Sequence, residues 1–201
     1  MCTCRILCVT SRRLAEGELA DRLQRIEAAG AEGIILREKD MEAEAYRELA
    51  ERLGKVCPGL ILHTHTETAR ELGIRRIHLT WEGLCRLEPG DRRWFERIGV
   101  SVHAAKEAAA ARELGASYVT AGHIFPTACK QDVPPRGTGF LKEVCEAAGA
   151  GFPVYAIGGI GPDNVRSCLE AGAAGVCLMS SLMQAEDPGQ YIRRLQQAAG
   201  A

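Results

Sequence analysis

A histidine at the end of a buried segment is the residue of this chain best suited to acid–base chemistry. The segment at residues 118–121 is apolar and typical of a strand, Gly122 lets the backbone turn, and His123 follows directly. An imidazole with a near-neutral pKa can take and return a proton, which makes His123 the candidate catalytic residue. The alternatives are a surface loop with an incidental histidine and a nucleophilic role for Cys129. The loop that continues to Gly137 carries further polar candidates: Thr127, Lys130 and Arg136.

The other four histidines also fall at or near predicted strand ends. They are His63, His65, His78 and His103. A zinc site made of His63 and His65 with His78 or His103 is one interpretation. Successive strand residues face opposite ways, however, and no carboxylate is placed beside these histidines as a ligand, so we expect no metal. The alternative for His78 is a core histidine with both ring nitrogens hydrogen-bonded.

Small residues without side-chain charge follow the last two predicted strands. They are Gly158 and Gly159 after one strand, and Met179 and Ser180 after the next. Exposed backbone N–H groups at such strand ends are typical of a phosphate-binding site, so this site is expected there. The alternative is that these residues form tight packing turns. A second anionic group across the mouth would suit three cationic side chains: Arg37, Lys39 and Lys130.

Strand-like and helix-like segments alternate along the whole chain, and this order predicts the fold. Eight short apolar strands are each followed by a mostly amphipathic segment, although the chain after the fourth strand is expected to be irregular until Arg92. Three similar joints, each with a glycine between a helix and the next strand, occur at Gly30, Gly115 and Gly172. The prediction is a single α/β domain over residues 1–201, a closed (β/α)8 TIM barrel. A doubly wound open sheet is the alternative.

Composition excludes several classes of function. The formal net charge is −1 over 201 residues, so no basic surface predicts binding of nucleic acid or of a membrane. The apolar runs are too short to span a bilayer. Nine cysteines without a C-x-x-C pair indicate a reducing compartment, and we expect a cytoplasmic protein. Assembly as a homodimer stays open.

The motifs at the strand ends resemble the thiamine phosphate synthase superfamily of barrels. They cover nearly the whole chain in the family's order: LREKD at 36–40, SVH at 101–103, GHIFPT at 122–127, AIGGI at 156–160 and Met179-Ser180. The resemblance implies one of two activities. The synthase couples a hydroxymethylpyrimidine pyrophosphate to a thiazole phosphate with magnesium. The related thiazole tautomerase aromatises a thiazole carboxylate phosphate by moving a proton.

Departures from the synthase pattern lead us to expect the tautomerase. An Asn-Asp pair of the synthase reads His63-Thr64 here, and Gly83 stands where a second magnesium-binding Asp is expected, with Glu82 beside it. Gly122-His123 matches the tautomerase. Three outcomes therefore stand as hypotheses: a metal-free isomerase acting through His123, a magnesium-dependent synthase, and a non-catalytic regulator that binds a thiazole phosphate. We expect small-molecule substrate contacts from Arg37, Lys39, His63, Ser101, His103, Thr127 and Lys130. Arg37 and Lys130 are the candidates for the substrate carboxylate, and His63 fits neither family pattern.

Overall fold

Eight parallel strands close into a barrel in which each strand pairs with its sequence neighbours and β1 pairs with β8. The structure, a computed structural model, describes residues 4–128 and 133–200. The predicted (β/α)8 barrel is confirmed. The strands are β1 (Arg5–Val9), β2 (Gly33–Leu36), β3 (Leu60–His63), β4 (Arg76–Thr80), β5 (Arg97–Val102), β6 (Tyr118–Gly122), β7 (Val154–Ile157) and β8 (Gly175–Leu178).

Helices connect the strands and cover the outside of the barrel. Within the described ranges they are α1 (Leu19–Ala28), α2 (Ala43–Gly54), α3 (Thr66–Glu71), α4 (Trp81–Arg86), α5 (Pro89–Trp94), α6 (Ala105–Glu113), α7 (Gly137–Ala148), α8 (Val165–Glu170), α9 (Ser180–Gln184) and α10 (Pro188–Gly200). No helix in these ranges has the length and apolar character needed to cross a bilayer.

The strands separate two hydrophobic layers because successive side chains face opposite sides of the sheet. The outer layer lies between strands and helices, and it includes Ile34 of β2 packed with Leu23 and Ile26 of α1. The inner layer fills the barrel itself. Its buried members are Leu7, Val9, Ile35, Ile61, Tyr118, Tyr155 and Cys177. The inner layer forms the floor beneath the carboxyl ends of the strands.

The three predicted glycine joints are confirmed. Gly30, Gly115 and Gly172 all have positive φ, between 87° and 101°, at the end of a helix. This backbone conformation is the one that glycine adopts without a steric penalty.

The segment after β4 is more regular than the sequence analysis expected. Two short helices, α4 and α5, occupy most of residues 81–94, so the expectation of an irregular chain until Arg92 is wrong. The hydroxyl of Thr80 accepts a hydrogen bond from the Gly83 N–H and caps α4, and Pro89 lies in the first turn of α5. Six-residue helices show too little periodicity to be recognised from apolar spacing.

Candidate active site

A cavity of about 500 Å³ opens at the carboxyl ends of the strands, where a barrel carries its active site. Eleven of the twelve predicted site residues line it, and the twelfth, Lys130, lies outside the described residues. Those that line the cavity are Arg37, Lys39, His63, Ser101, His103, His123, Thr127, Gly158, Gly159, Met179 and Ser180. The carboxyl ends of the strands therefore bring these residues to one cavity, as expected for a barrel.

The charged run after β2 divides its side chains between two directions. Arg37 and Lys39 line the cavity, and no carboxylate in the described ranges forms an ion pair with either of them. Glu38 and Asp40 point to the other side, where both bind Arg12 at 3.2 and 2.6 Å. Hydrogen bonding to the Arg12 guanidinium lowers the pKa of the Asp40 carboxyl to about 2. Alternation along the chain thus leaves two cations facing the cavity and ties the acids elsewhere.

Two buried histidines form one wall of the cavity. The rings of His63 and His78 stack with their centroids 5.9 Å apart. Burial, followed by the positive charge of Arg37, lowers the pKa of His63 to about 4, and burial lowers that of His78 to about 3. Both imidazoles are therefore neutral at physiological pH and offer a hydrogen-bond donor and acceptor rather than a charge.

His65 departs from the expected placement at the rim. Its ring stacks on Tyr46 with centroids 3.8 Å apart, and it is not among the residues that line the cavity. The Tyr46 hydroxyl accepts a hydrogen bond from the His63 N–H at 3.1 Å and donates one to the Leu36 carbonyl at 2.7 Å. The Tyr46 and His65 pair therefore supports the wall behind His63.

His123 is held by the loop that follows it. Its Nε2 lies 3.1 Å from the carbonyl oxygen of Val133, and its own carbonyl accepts a hydrogen bond from the Arg136 N–H at 3.0 Å. The side chain is 5% exposed. These contacts connect the end of β6 to the part of the loop that precedes α7. The catalytic role of His123 stays a prediction.

The glycines after β7 lie directly against the His123 segment. Gly158 and Gly159 have φ values of 102° and 65°, and a Cβ on either would overlap His123 or the backbone of residues 125–126. Asn164 holds this turn, accepting from the Gly161 N–H and donating to the Gly159 carbonyl, both at 2.9 Å. The packing alternative therefore applies to these glycines, and they line the cavity as well.

Magnesium ligands of the expected kind are missing from the described cavity wall. Its lining residues, in ranges 4–128 and 133–200, include no aspartate and no glutamate. The Gly83 N–H donates a hydrogen bond to the Thr80 hydroxyl at the start of α4. The neighbouring Glu82 is exposed and does not line the cavity. Magnesium prefers carboxylate oxygens, so the residues present do not fit a protein-held magnesium ion. No cluster of three metal-ligating side chains occurs in the same ranges.

Sequence reasoning missed several polar residues that also line the cavity. Thr80 and Thr120 face it from β4 and β6, in register with Ser101 of β5. The available signal was the two-residue alternation, since Thr80 lies two positions after the inward-facing His78. Tyr118 follows the same alternation, two positions before Thr120, but its hydrogen bond to His78 beneath the cavity had no local signal.

Comparison with known proteins identifies relatives of this barrel. A family profile described as thiamine monophosphate synthase matches residues 6–182. Thiamine-phosphate synthase of Thermus thermophilus is 33% identical over 182 residues, covering 88% of this chain and 87% of that protein. The bifunctional thiamine biosynthesis protein ThiM/ThiE of Symbiobacterium thermophilum is 35% identical over 183 residues, and the chain spans 37% of its length. The solved structure of thiamine phosphate pyrophosphorylase from Pyrococcus furiosus superimposes with a TM-score of 0.80 at 25% identity, covering 98% of this chain and 95% of that one.

These relatives decide between the expected enzyme classes. The expectation of an isomerase is wrong, because the named relatives at about 33% identity are synthases, which are transferases. Gly122-His123 and the missing carboxylates had favoured the tautomerase, but they are local departures on a chain that matches a synthase over 88% of its length. The superfamily resemblance itself is confirmed. The chain belongs to the thiamine monophosphate synthase family.

Proposed function

We propose that this chain is a transferase of the thiamine-phosphate synthase type, which couples a pyrimidine pyrophosphate to a thiazole phosphate. One observation carries the proposal: a single cavity has two separate features suited to anions. Arg37 and Lys39 supply two cations at the end of β2, and the small residues after β7 and β8 supply backbone N–H groups. Two phosphorylated substrates require two such features.

The cationic side suits the pyrophosphate. Coupling releases pyrophosphate, so negative charge grows on the leaving group as its bond to the pyrimidine breaks. Arg37 and Lys39 are free of carboxylate partners in the described ranges and can neutralise this charge. The neutral imidazole of His63, beside them in the wall, adds a hydrogen-bonding group without adding charge.

The glycine side suits the phosphate of the thiazole. Gly158 and Gly159 put no side chain of their own between the backbone of the β7 turn and the cavity, and Met179 and Ser180 place the start of α9 in the same lining. In this arrangement His123 packs against Gly158, and its Nε2 lies 3.1 Å from the Val133 carbonyl ahead of α7. Its role in coupling is to position the β7 turn.

Free thiols support the proposed cytoplasmic location. The cysteines in the described ranges all lack disulfide partners, and most of them are buried. Burial raises the pKa of the Cys177 thiol in the barrel interior to about 12, so this thiol stays protonated and unreactive. A homodimer stays a prediction.

A coupling assay tests the function. The purified chain is mixed with hydroxymethylpyrimidine pyrophosphate and thiazole phosphate, with and without magnesium, and both pyrophosphate release and the coupled product are measured. We expect product, and Arg37→Gln should lower kcat/KM by about 10²-fold or more, since it removes a charge that stabilises the leaving group. Arg47→Gln is the matched control, because Arg47 pairs with Glu44 on the outer surface of α2. No product at saturating concentrations of both substrates would reject the proposal.

A further inference from the structure

Three neighbouring strands place a histidine, a glycine and a tyrosine in one row inside the barrel. His78 of β4 pairs in register with Gly99 of β5, and Gly99 pairs with Tyr118 of β6. A Cβ on Gly99 would overlap both the Tyr118 phenol and His78 Nδ1. The missing side chain of Gly99 therefore provides the space in which His78 and Tyr118 meet.

The contact between Tyr118 and His78 sets the position of the histidine proton. Tyr118 Oη lies 3.1 Å from His78 Nδ1, and the two residues are 1% and 3% exposed. Burial raises the pKa of Tyr118, so the phenol keeps its hydrogen, and His78 Nδ1 is its one hydrogen-bond partner in the described ranges. A buried hydroxyl donates its hydrogen where it can, so Nδ1 accepts. The neutral ring of His78 then carries its single proton on Nε2.

The proton on Nε2 determines what Ser101 can do. His78 Nε2 lies 2.9 Å from Ser101 Oγ, and it donates to that oxygen. Thr120 Oγ1 donates to the same oxygen at 3.3 Å. A hydroxyl oxygen has two acceptor positions, and both are filled by these donors. The hydrogen of Ser101 is left to point into the cavity that Ser101 lines.

We infer that Tyr118 and His78 are positioning residues that hold the Ser101 hydroxyl as a hydrogen-bond donor toward a phosphoryl oxygen of the bound pyrophosphate. This inference deepens the proposed function and rests on it for the identity of the ligand. The arrangement of the donor does not rest on it, because the hydrogen bonds exist within the protein. A serine fixed as a donor is suited to an anionic oxygen, which only accepts.

The first test reads the histidine tautomer in the protein without substrate. Nitrogen-15 NMR of histidine-labelled protein is expected to show His78 protonated on Nε2, with the signal assigned by its loss in His78→Gln. Tyr118→Phe removes the donor to Nδ1 and should shift the His78 nitrogens toward the other tautomer or a mixture. Tyr155→Phe is the matched control: Tyr155 packs edge-to-face on Tyr118, but its hydroxyl bonds to Glu32. A proton on Nδ1 in the wild type would overturn the inference.

The second test measures calorimetric binding of inorganic pyrophosphate. Ser101→Ala and Tyr118→Phe should each weaken binding about tenfold, the effect of one lost hydrogen bond to a charged group, and Tyr155→Phe should not. Wild-type affinity in both of the first two variants would also overturn the inference.

The conservative variants separate positioning from general damage to the barrel. In His78→Gln the new side-chain amide nitrogen can take the place of Nε2 and donate to Ser101. In His78→Asn the shorter side chain places its amide near the position of Nδ1 instead. We therefore expect His78→Gln to retain pyrophosphate affinity within about threefold of wild type and His78→Asn to lose about tenfold. Equal losses in both would mean that His78 only fills space. Correct NMR and binding results without coupling would reject the proposed function and leave the arrangement of Ser101 in place.

Discussion

The hydroxyl of Thr10 donates a 2.7 Å hydrogen bond to the carboxylate of Glu38, and this bond joins the chain after β1 to the chain after β2. The same hydroxyl accepts the N–H of Arg37 at 3.0 Å. Arg12 completes the group, binding Glu38 through its backbone N–H at 3.0 Å and its guanidinium at 3.2 Å. Glu38 is thereby buried and satisfied, and the backbone beside it directs Arg37 into the cavity.

Removing the charge of Arg12 should affect both stability and anion binding. Arg12→Gln leaves the buried Glu38 without its cation, next to Arg37 in the chain, while Asp40 keeps its ion pair with Arg13 at 2.7 Å. We expect the free energy of unfolding to fall by about 1–3 kcal/mol, less than for a fully buried pair because Arg12 is partly exposed. Urea denaturation and calorimetric binding of pyrophosphate measure the two effects.

Arg47→Gln is the control for the Arg12 variant. Its partners Glu44 and Glu51 are exposed, so its loss should leave stability unchanged within the error of urea denaturation. An Arg12 variant with wild-type stability and wild-type pyrophosphate affinity would show that the Glu38 group does not orient the cations.

The barrel could be predicted from the sequence because its signals are repeated along the chain. Strand-length apolar runs recur eight times, and the glycine joints at Gly30, Gly115 and Gly172 recur three times. The position of the site followed from the same signal, because the carboxyl ends of parallel strands meet at one face. The positions of His123, Arg37 and Gly158 in the cavity lining were predicted in this way.

The directions of individual side chains could not be predicted from single positions. Alternation turns Arg37 and Glu38 to opposite sides, but the partners that hold Glu38 are Thr10 and Arg12, which are more than 20 residues earlier. The contact between His78 and Tyr118 depends on the strand register and on the missing side chain of Gly99. Such contacts are set by register across strands, and no local pattern encodes them.

The two buried histidines should make the fold sensitive to mild acid. The pKa values of His63 and His78 are lowered to about 4 and about 3 in the folded chain, from an ordinary value of about 6.5. Between these limits the unfolded chain binds more protons than the folded one. The contribution of the two histidines to the free energy of unfolding should therefore be complete above about pH 6.5. The free energy of unfolding should fall as the pH drops below that value. Urea denaturation at about pH 7.5 and about pH 5 measures the difference.

A variant that removes both rings identifies the source of this pH dependence. His63→Gln combined with His78→Gln should lose most of the change between about pH 6.5 and pH 5. Carboxylates held by ion pairs, such as Asp40 with its pKa of about 2, lose their contribution to the free energy of unfolding at lower pH. They therefore do not affect the change measured between about pH 6.5 and pH 5. The same slope in the double variant and the wild type would assign the effect to other groups.

Magnesium binding should depend on carboxylates in the cavity, which this chain lacks in the described ranges, and not on membership of the family. Without substrate, the wild-type chain is expected to show no magnesium binding by calorimetry at millimolar concentrations, because no carboxylate lines the described cavity wall. Thr64→Asp combined with Gly83→Asp should create binding. Thr64 has a φ of 66°, which aspartate tolerates better than threonine, and Gly83 lies in the first turn of α4, where an acid is favourable. Stoichiometric magnesium binding by the wild type would contradict this prediction.

The phosphate side of the cavity should depend on Gly158 for its shape. In Gly158→Ala the new Cβ would overlap His123, and the φ of 102° would be strained. We expect a loss of more than about 1 kcal/mol in the free energy of unfolding. Because the β7 turn must move away from His123, KM for the thiazole phosphate should rise more than KM for the pyrimidine substrate. Gly90→Ala is the control, since a Cβ at Gly90 of α5 would contact nothing within 4 Å. A Gly158 variant with wild-type KM for the thiazole phosphate would place the phosphate elsewhere in the cavity.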